Sequence, residues 1–291
     1  MSIPNFFIVG AAKSGTTALW SALRKHPDIF LAGTDITNKE PSYFIDFGEK
    51  NSLRTEAYLE LFSAHKDEHV IGEASTAYLS SPGCAQKIYD FNPDSRILIC
   101  LRNPVDRAYS LYNWMIQEGY DWHTSFPSAL SAEEDRKNRK IPNKLERAYH
   151  NNYLYYSSGL YFSQVSDYIT RFGSKVKVIL FEDLIASPNK ILLECLDFLD
   201  VDQIQLDLPM ENNSIKVFSP PIQFILRHLD LLRIHFFSTT QHDLFVKLGQ
   251  LSSKPKKLDP TLRKVLAAHY AEDISKLERL LDTDLSIWKI H

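Results

Sequence analysis

The chain is 291 residues long, 44% hydrophobic and 24% charged, with a formal net charge of -3. So much apolar material can bury a substantial core, and the mild acidity gives no support for a nucleic acid or a highly sulfated polysaccharide as partner, since both usually need a basic groove. Three cysteines, Cys84, Cys100 and Cys195, form an odd set without C-x-x-C spacing, which indicates neither a disulfide framework nor a zinc site.

The first apolar run, Asn5 to Val9, reads as a buried strand. It starts almost at the first residue, leaving no room for a secretory signal, and no apolar stretch approaches the ~20 residues of a membrane span. The expectation is a soluble, cytoplasmic protein with no membrane partner. The strand breaks into Gly10-Ala11-Ala12-Lys13-Ser14-Gly15-Thr16-Thr17, a small-residue turn with a lysine ahead of two hydroxyls. Small residues let a backbone approach an anion, and N–H groups at a helix start point at it, so the loop is a candidate phosphate cradle with Lys13 supplying full charge. An ordinary strand-turn-helix with a surface lysine would have the same pattern. In the helix that follows, Ala18, Leu19, Ala22 and Leu23 form an apolar stripe ending before Pro27.

Further strands are expected at His69 to Gly72, Arg96 to Leu101 and Lys175 to Phe181, with helical patterns between them. This alternation predicts an α/β fold in three layers, a central parallel sheet flanked by helices, and one domain over residues 1–291. Cys100 reads as a buried strand residue. Two segments stand out. The charged run from Ser131 to Arg147 reads as a solvated helix face or loop, with an acceptor-binding lid as the alternative. The apolar stretch 220–251 reads as helices covering the sheet or as the wall of an acceptor pocket. The last helix is expected from Pro260 to Leu281.

A second anion site follows the strand ending at Leu101. In Arg102-Asn103-Pro104-Val105-Asp106-Arg107-Ala108-Tyr109-Ser110, Asn103 suits an N-cap and Pro104 the first helical position. Seven residues make about two helical turns, returning the Ser110 hydroxyl to the cap's side, where Arg102 can also reach. Open α/β sheets bind ligands at that strand edge. A capped surface helix with Arg102 in a salt bridge is the plainer alternative.

Together these segments resemble the sulfotransferases that use 3'-phosphoadenosine 5'-phosphosulfate (PAPS). A nucleoside triphosphatase loop places its lysine after the second glycine; here Lys13 precedes Gly15, as in the 5'-phosphosulfate loop. Arg102 to Ser110, completed by Tyr112, resembles the 3'-phosphate motif R-x-P-x-x-R-x-x-S-x-Y. Ser158 to Gln164 is similar to the family's G-x-Y-x-x-Q helix start, and Val178 to Leu184 to its strand-E-D-L turn, where Glu182 and Asp183 cap a helix or pair with a basic side chain. The resemblance covers most of the chain and implies the P-loop-like sulfotransferase fold. It places Lys13 near the bridging oxygen, Ser14, Gly15, Thr16 and Thr17 on the 5'-phosphate, and Arg102 and Ser110 on the 3'-phosphate. Tyr161 and Lys216 are further cofactor contacts by the same resemblance, although the family's fuller K-G-R signature around Lys216 is absent.

Lys39-Glu40-Pro41-Ser42-Tyr43-Phe44 resembles the K-E-x-H-[FY]-F segment of heparan-sulfate-type enzymes and their bacterial relatives. The resemblance makes Glu40 the general base; a structural carboxylate paired with Lys39 or Lys13 is the alternative. Ser42 stands where many relatives carry histidine. Glu73-Ala74-Ser75-Thr76-Ala77-Tyr78 resembles E-x-S-P-x-Y, with Thr76 replacing proline. Glu40, Ser42, Tyr43, Ser75 and Tyr78 are therefore expected to line the acceptor site. His26 and His69 sit in no motif that would make them more than core or solvated histidines.

The implied reaction is in-line sulfuryl transfer from PAPS to a hydroxyl or amine of a small molecule, for example a soluble natural product such as a guanidinium alkaloid, with no metal required. A P-loop-type kinase or ATPase and a non-catalytic nucleotide-binding scaffold are the competing readings.

Overall fold

Short runs of Phe, Ile, Val and Leu fit strands buried on both faces, because every second side chain must find apolar cover on each side. The computed structural model describes residues 3–35, 38–45, 55–138, 150–209 and 257–289. The chain divides into two compact units, one of Met1–Asn103 with Tyr161–Glu211, the other of Pro104–Leu160 with Asn212–His291.

The first unit holds a five-stranded sheet of β1 (Phe6–Gly10), β2 (Ile29–Leu31), β3 (Val70–Glu73), β4 (Arg96–Leu101) and β5 (Val176–Leu180). Its order is β2-β3-β1-β4-β5 and every pairing is parallel. Four strands were legible as apolar runs. β2 is an edge strand of three residues, too short for periodicity to register.

Alternation sends Phe6, Ile8, Leu98, Cys100 and Ile179 into one core with Leu19, Trp20 and Leu23 of α1 (Thr16–Leu23). Helices α8 (Phe181–Ala186) and α9 (Pro188–Leu199) add Leu184, Leu192, Cys195, Leu196 and Leu199 to that core. α3 (Cys84–Phe91) packs on α7 (Tyr161–Phe172), which lies against β4 and β5. The unit is thus the expected three-layer α/β sandwich. α2 (Thr55–Glu60) adds Tyr58, fully buried. His26 is also buried, accepting from the Asp28 N–H at 3.1 Å and meeting the Asp202 carbonyl at 2.8 Å, so it is a structural residue. His69 is exposed.

In the second unit, α4 (Pro104–Gln117) packs against α5 (Phe126–Ser131) and the last helix, α10 (Pro260–Leu281), and α5 against α6 (Glu133–Asn138). α10 has the expected bounds; the Asp259 side chain caps it by accepting from the Leu262 N–H. The charged run departs from a solvated face. Glu133 and Arg136 are buried: the Glu133 carboxylate accepts from the N–H groups of Tyr156 and Ser157 at 2.7 Å each. Arg136 reaches the Tyr153 carbonyl at 3.0 Å and Asp121 at 2.8 Å. Asp121 also accepts from Tyr155 at 2.6 Å and meets His123 Nδ1 at 2.6 Å. A buried charge must be paired, and here the partners come from chain segments up to 34 residues away. The remainder of that run and the 220–251 stretch lie outside the described residues.

Candidate active site

β1 lies between β3 and β4, so crossovers leave it on opposite sides and a crevice opens at the carboxyl ends of the central strands. The loops after β1, β3 and β4 deliver Lys13, Ala74 to Thr76, and Arg102 to this edge of the first unit, where Glu73 ends β3.

The first loop is tied down from β4. Ala11 N–H donates to the Cys100 carbonyl at 2.7 Å, and the Cys100 thiol to the Ser14 carbonyl at 2.7 Å. Lys13 and Gly15 both take left-handed backbone, with φ of 70° and 85°. At Gly15 a Cβ would also lie 2.9 Å from the Phe181 ring, so only glycine fits. Gly15 caps α1 without a side-chain bond, leaving the helix's first N–H groups with no acceptor inside the helix. Ser14 Oγ is buried without a hydrogen-bond partner. Thr16 is buried and Thr17 exposed. Outward N–H groups, an orphaned hydroxyl and a lysine are a donor set suited to an anion, so the loop fits the phosphate group that the sequence implied.

Arg102 is the loop's neighbour. Its Nη1 donates to the Lys13 carbonyl at 3.1 Å, and its guanidinium carbon sits 4.7 Å above the Phe181 ring centre. The Tyr161 hydroxyl, on a buried side chain, donates to the Arg102 carbonyl at 3.0 Å. Glu182 accepts from the Asn103 N–H at 2.9 Å. Ser110 is half-buried on α4 of the second unit, and Lys216 lies outside the described residues.

Glu40 is held from three directions. Lys39, itself buried, brings Nζ to 2.7 Å from Glu40 Oε1 and 3.2 Å from the Ala74 carbonyl. Thr76 donates from its N–H at 3.2 Å and from its hydroxyl at 3.0 to 3.1 Å. The pairing with Lys39 that the sequence left open is therefore present, yet the Glu40 side chain keeps 25% of its exposure.

Beneath it lies Glu73, fully buried, its carboxylate accepting from Tyr58 at 2.7 Å, Tyr78 at 2.8 Å and Ser75. Burial pushes the Glu73 carboxyl up to about 7 against those three hydrogen bonds, and the Glu40 charge adds to the rise. Burial, then the Glu73 charge, pushes both phenols well above their usual range, keeping them protonated donors. Ser75 and Tyr78 thus point their hydroxyls inward to Glu73. Ser75 Oγ also accepts the Ser42 N–H at 2.9 Å. Ser42, with a left-handed φ of 56°, is buried; Tyr43 is half-buried, its ring stacked 4.1 Å from that of Tyr58. Thr76 and Glu73 carry this arrangement without having been singled out for roles, since nothing local marks which carboxylate faces water.

The sulfotransferase domain family model matches residues 4–278. The chain belongs to the sulfotransferase family. The solved sulfotransferase from Alicyclobacillus acidocaldarius is 33% identical, with both chains covered over 100% of their length and a TM-score of 0.75. Carbohydrate sulfotransferase 15 of Rattus norvegicus is 24% identical over 99% of this chain and 55% of its own length. Membrane-associated sulfotransferase kil1 of Dictyostelium discoideum is 31% identical over 40% of this chain and 24% of its own. This sulfotransferase-family chain therefore spans about half or less of those two curated relatives. Among its described residues, no helix is long and apolar enough to cross a membrane.

Proposed function

We propose that this chain transfers a sulfuryl group from PAPS to a hydroxyl or amine of a small-molecule acceptor. The observation that carries the reading is the hydrogen bond between Arg102 and the backbone of Lys13. It ties the Arg102 side chain to the backbone of Lys13, so that two cationic residues, each beyond the carboxyl end of a central strand, share one edge of the first unit.

In this reading Lys13, Ser14, Gly15, Thr16 and Thr17 hold the 5'-phosphate side, and Arg102 with Ser110 the 3'-phosphate, with Tyr161 fixing the backbone of Arg102 and Lys216 a further contact. PAPS, when bound, supplies a sulfuryl group on a bridging oxygen beside the 5'-phosphate. The Lys13 ammonium and the loop N–H groups offset negative charge at that oxygen, each well-placed donor contributing about 3 to 4 kcal/mol. Glu40 accepts the acceptor's proton, a contribution of about 10² to 10⁴ in rate. Lys39 and the two Thr76 donors fix the direction of the Glu40 carboxylate. Ser42 and Tyr43 flank the acceptor, while Ser75 and Tyr78 act behind them through Glu73. The formal charge of -3 favours a neutral or cationic acceptor over a polyanion.

The test combines calorimetric titration with adenosine 3',5'-bisphosphate and incubation of isotopically labelled PAPS with a metabolite extract, read by mass spectrometry for a gain of SO₃. The expected result is saturable binding, and transfer that persists in EDTA and disappears in Lys13→Ala. Magnesium-dependent turnover of ATP without sulfuryl transfer would replace this reading with a kinase or ATPase, and tight nucleotide binding without transfer to any acceptor would replace it with a scaffold.

A further inference from the structure

Glu73 closes β3, where its residue pairs with Phe7 of β1, and it is fully buried beneath the segment that carries Glu40. A buried carboxylate ordinarily costs stability unless its lone pairs are filled. Here three hydroxyls fill them, from Tyr58 on α2, and from Ser75 and Tyr78 just beyond β3. One of the three passes the connection on. Ser75 Oγ accepts the Ser42 N–H, two residues after Glu40, while the next residue, Thr76, donates twice to the Glu40 carboxylate. The run Glu73-Ser75-Thr76 therefore braces both the backbone and the side chain of the Lys39 to Ser42 segment.

We infer that Glu73 is a positioning residue for Glu40, its charge state setting the orientation of Ser75 and through it the seat of the Lys39 to Ser42 segment. The inference rests on the reading of Glu40 as the base. As a carboxylate, Glu73 accepts from all three hydroxyls. Once protonated, it must turn one O–H outward and donate to a hydroxyl, so one of the three bonds has to reverse. Tyr58 and Tyr78 are aromatic core residues fixed by packing, Tyr58 stacked on Tyr43 and Tyr78 set against Phe44. Ser75 has the smallest side chain and the rotatable hydroxyl, so the reversal falls on it.

The groups whose charges act on Glu73 or feel it are few: Glu40 from the braced segment, Tyr58, Tyr78, Tyr168 on α7, and Cys84 on α3. Lys39 Nζ sits on the neighbouring Ala74 carbonyl. Of the buried members of this set, Glu73 alone titrates near neutrality, because burial raises the phenols and the thiol far above it.

The test measures release of adenosine 3',5'-bisphosphate from PAPS with water as acceptor, so no acceptor need be known, across pH 5 to 9. Wild type is compared with Glu73→Gln, Ser75→Ala and Glu40→Gln. Glu73→Gln and Ser75→Ala are expected to lower kcat about 10- to 100-fold with little change in KM for PAPS, and Glu73→Gln to move the acid limb of the rate profile to lower pH. Ser75→Ala removes only one oxygen and serves as the folded control if Glu73→Gln fails to fold. A Glu40→Gln variant as fast as wild type would remove the base assignment and this inference with it. A slow Glu40→Gln beside Glu73→Gln and Ser75→Ala variants with the wild-type kcat and acid limb would remove this inference alone.

Discussion

Arg102 and Lys13, 89 residues apart in sequence, are joined by a hydrogen bond from the Arg102 guanidinium to the Lys13 carbonyl at 3.1 Å, with Phe181 stacked beneath the guanidinium. One nitrogen is thus spent on orienting the fork. The others remain to meet an anion on the same edge of the sheet.

Arg102→Lys keeps the charge but loses both the planar fork and the stacking, which a point-charge ammonium does not replace. Affinity for adenosine 3',5'-bisphosphate, measured by calorimetry, is expected to fall by about 1.5 to 3 kcal/mol, the range for a hydrogen bond to a charged group. An unchanged affinity would show that Arg102 serves only to fasten the loop.

Lys13 sits at a left-handed φ of 70°, a conformation that costs a non-glycine residue about 1 to 3 kcal/mol. Lys13→Gly is expected to abolish nucleotide binding while leaving urea-unfolding stability equal to or above that of wild type. Gly15→Ala is the counterpart: with φ at 85° and the Phe181 ring 2.9 Å from the added carbon, it should lose about 1 to 3 kcal/mol.

Asp121 tests the second unit. Burial opposes its charge, but His123, Arg136 and Tyr155 hold its carboxyl well below the usual range. Its folded value lies under its unfolded one, so its contribution is present above pH ~4 and is lost as pH falls below that. Asp121→Asn is expected to cost about 3 to 5 kcal/mol at pH 7 by leaving Arg136 buried without its carboxylate. Denaturant curves at pH 7 and pH 3 should show that cost shrinking at the lower pH.

Glu73 has the opposite sign. Its carboxyl is raised to about 7 in the fold, so the unfolded chain releases its proton first, and stability declines as pH climbs from ~4.5 to ~7. The Glu73→Gln variant lacks this loss. Relative to wild type it is expected to gain up to about 3 kcal/mol between pH 4.5 and pH 8, read from urea midpoints. A constant difference across that range would mean that the Glu73 carboxyl titrates at the same pH in both states.

Sequence by itself determined the elements whose signals are local. The turn between β1 and α1, four of the strands, the start of α4 at Pro104 and the bounds of α10 follow from periodicity, glycine placement and caps, which act over a few residues. Tertiary structure alone decided which side chains meet. Glu133 and Arg136 belong to a run that looks solvated, and their burial depends on Asp121, Tyr153 and the backbone at 156 and 157. Ser75 and Tyr78 were expected from the sequence to line the acceptor site; that their hydroxyls turn toward Glu73 instead depends on Tyr58 and on the depth of β3. Propensity is a property of neighbours along the chain. Whether a carboxylate is a base in water or a buried brace depends on desolvation, which is decided by residues tens of positions away.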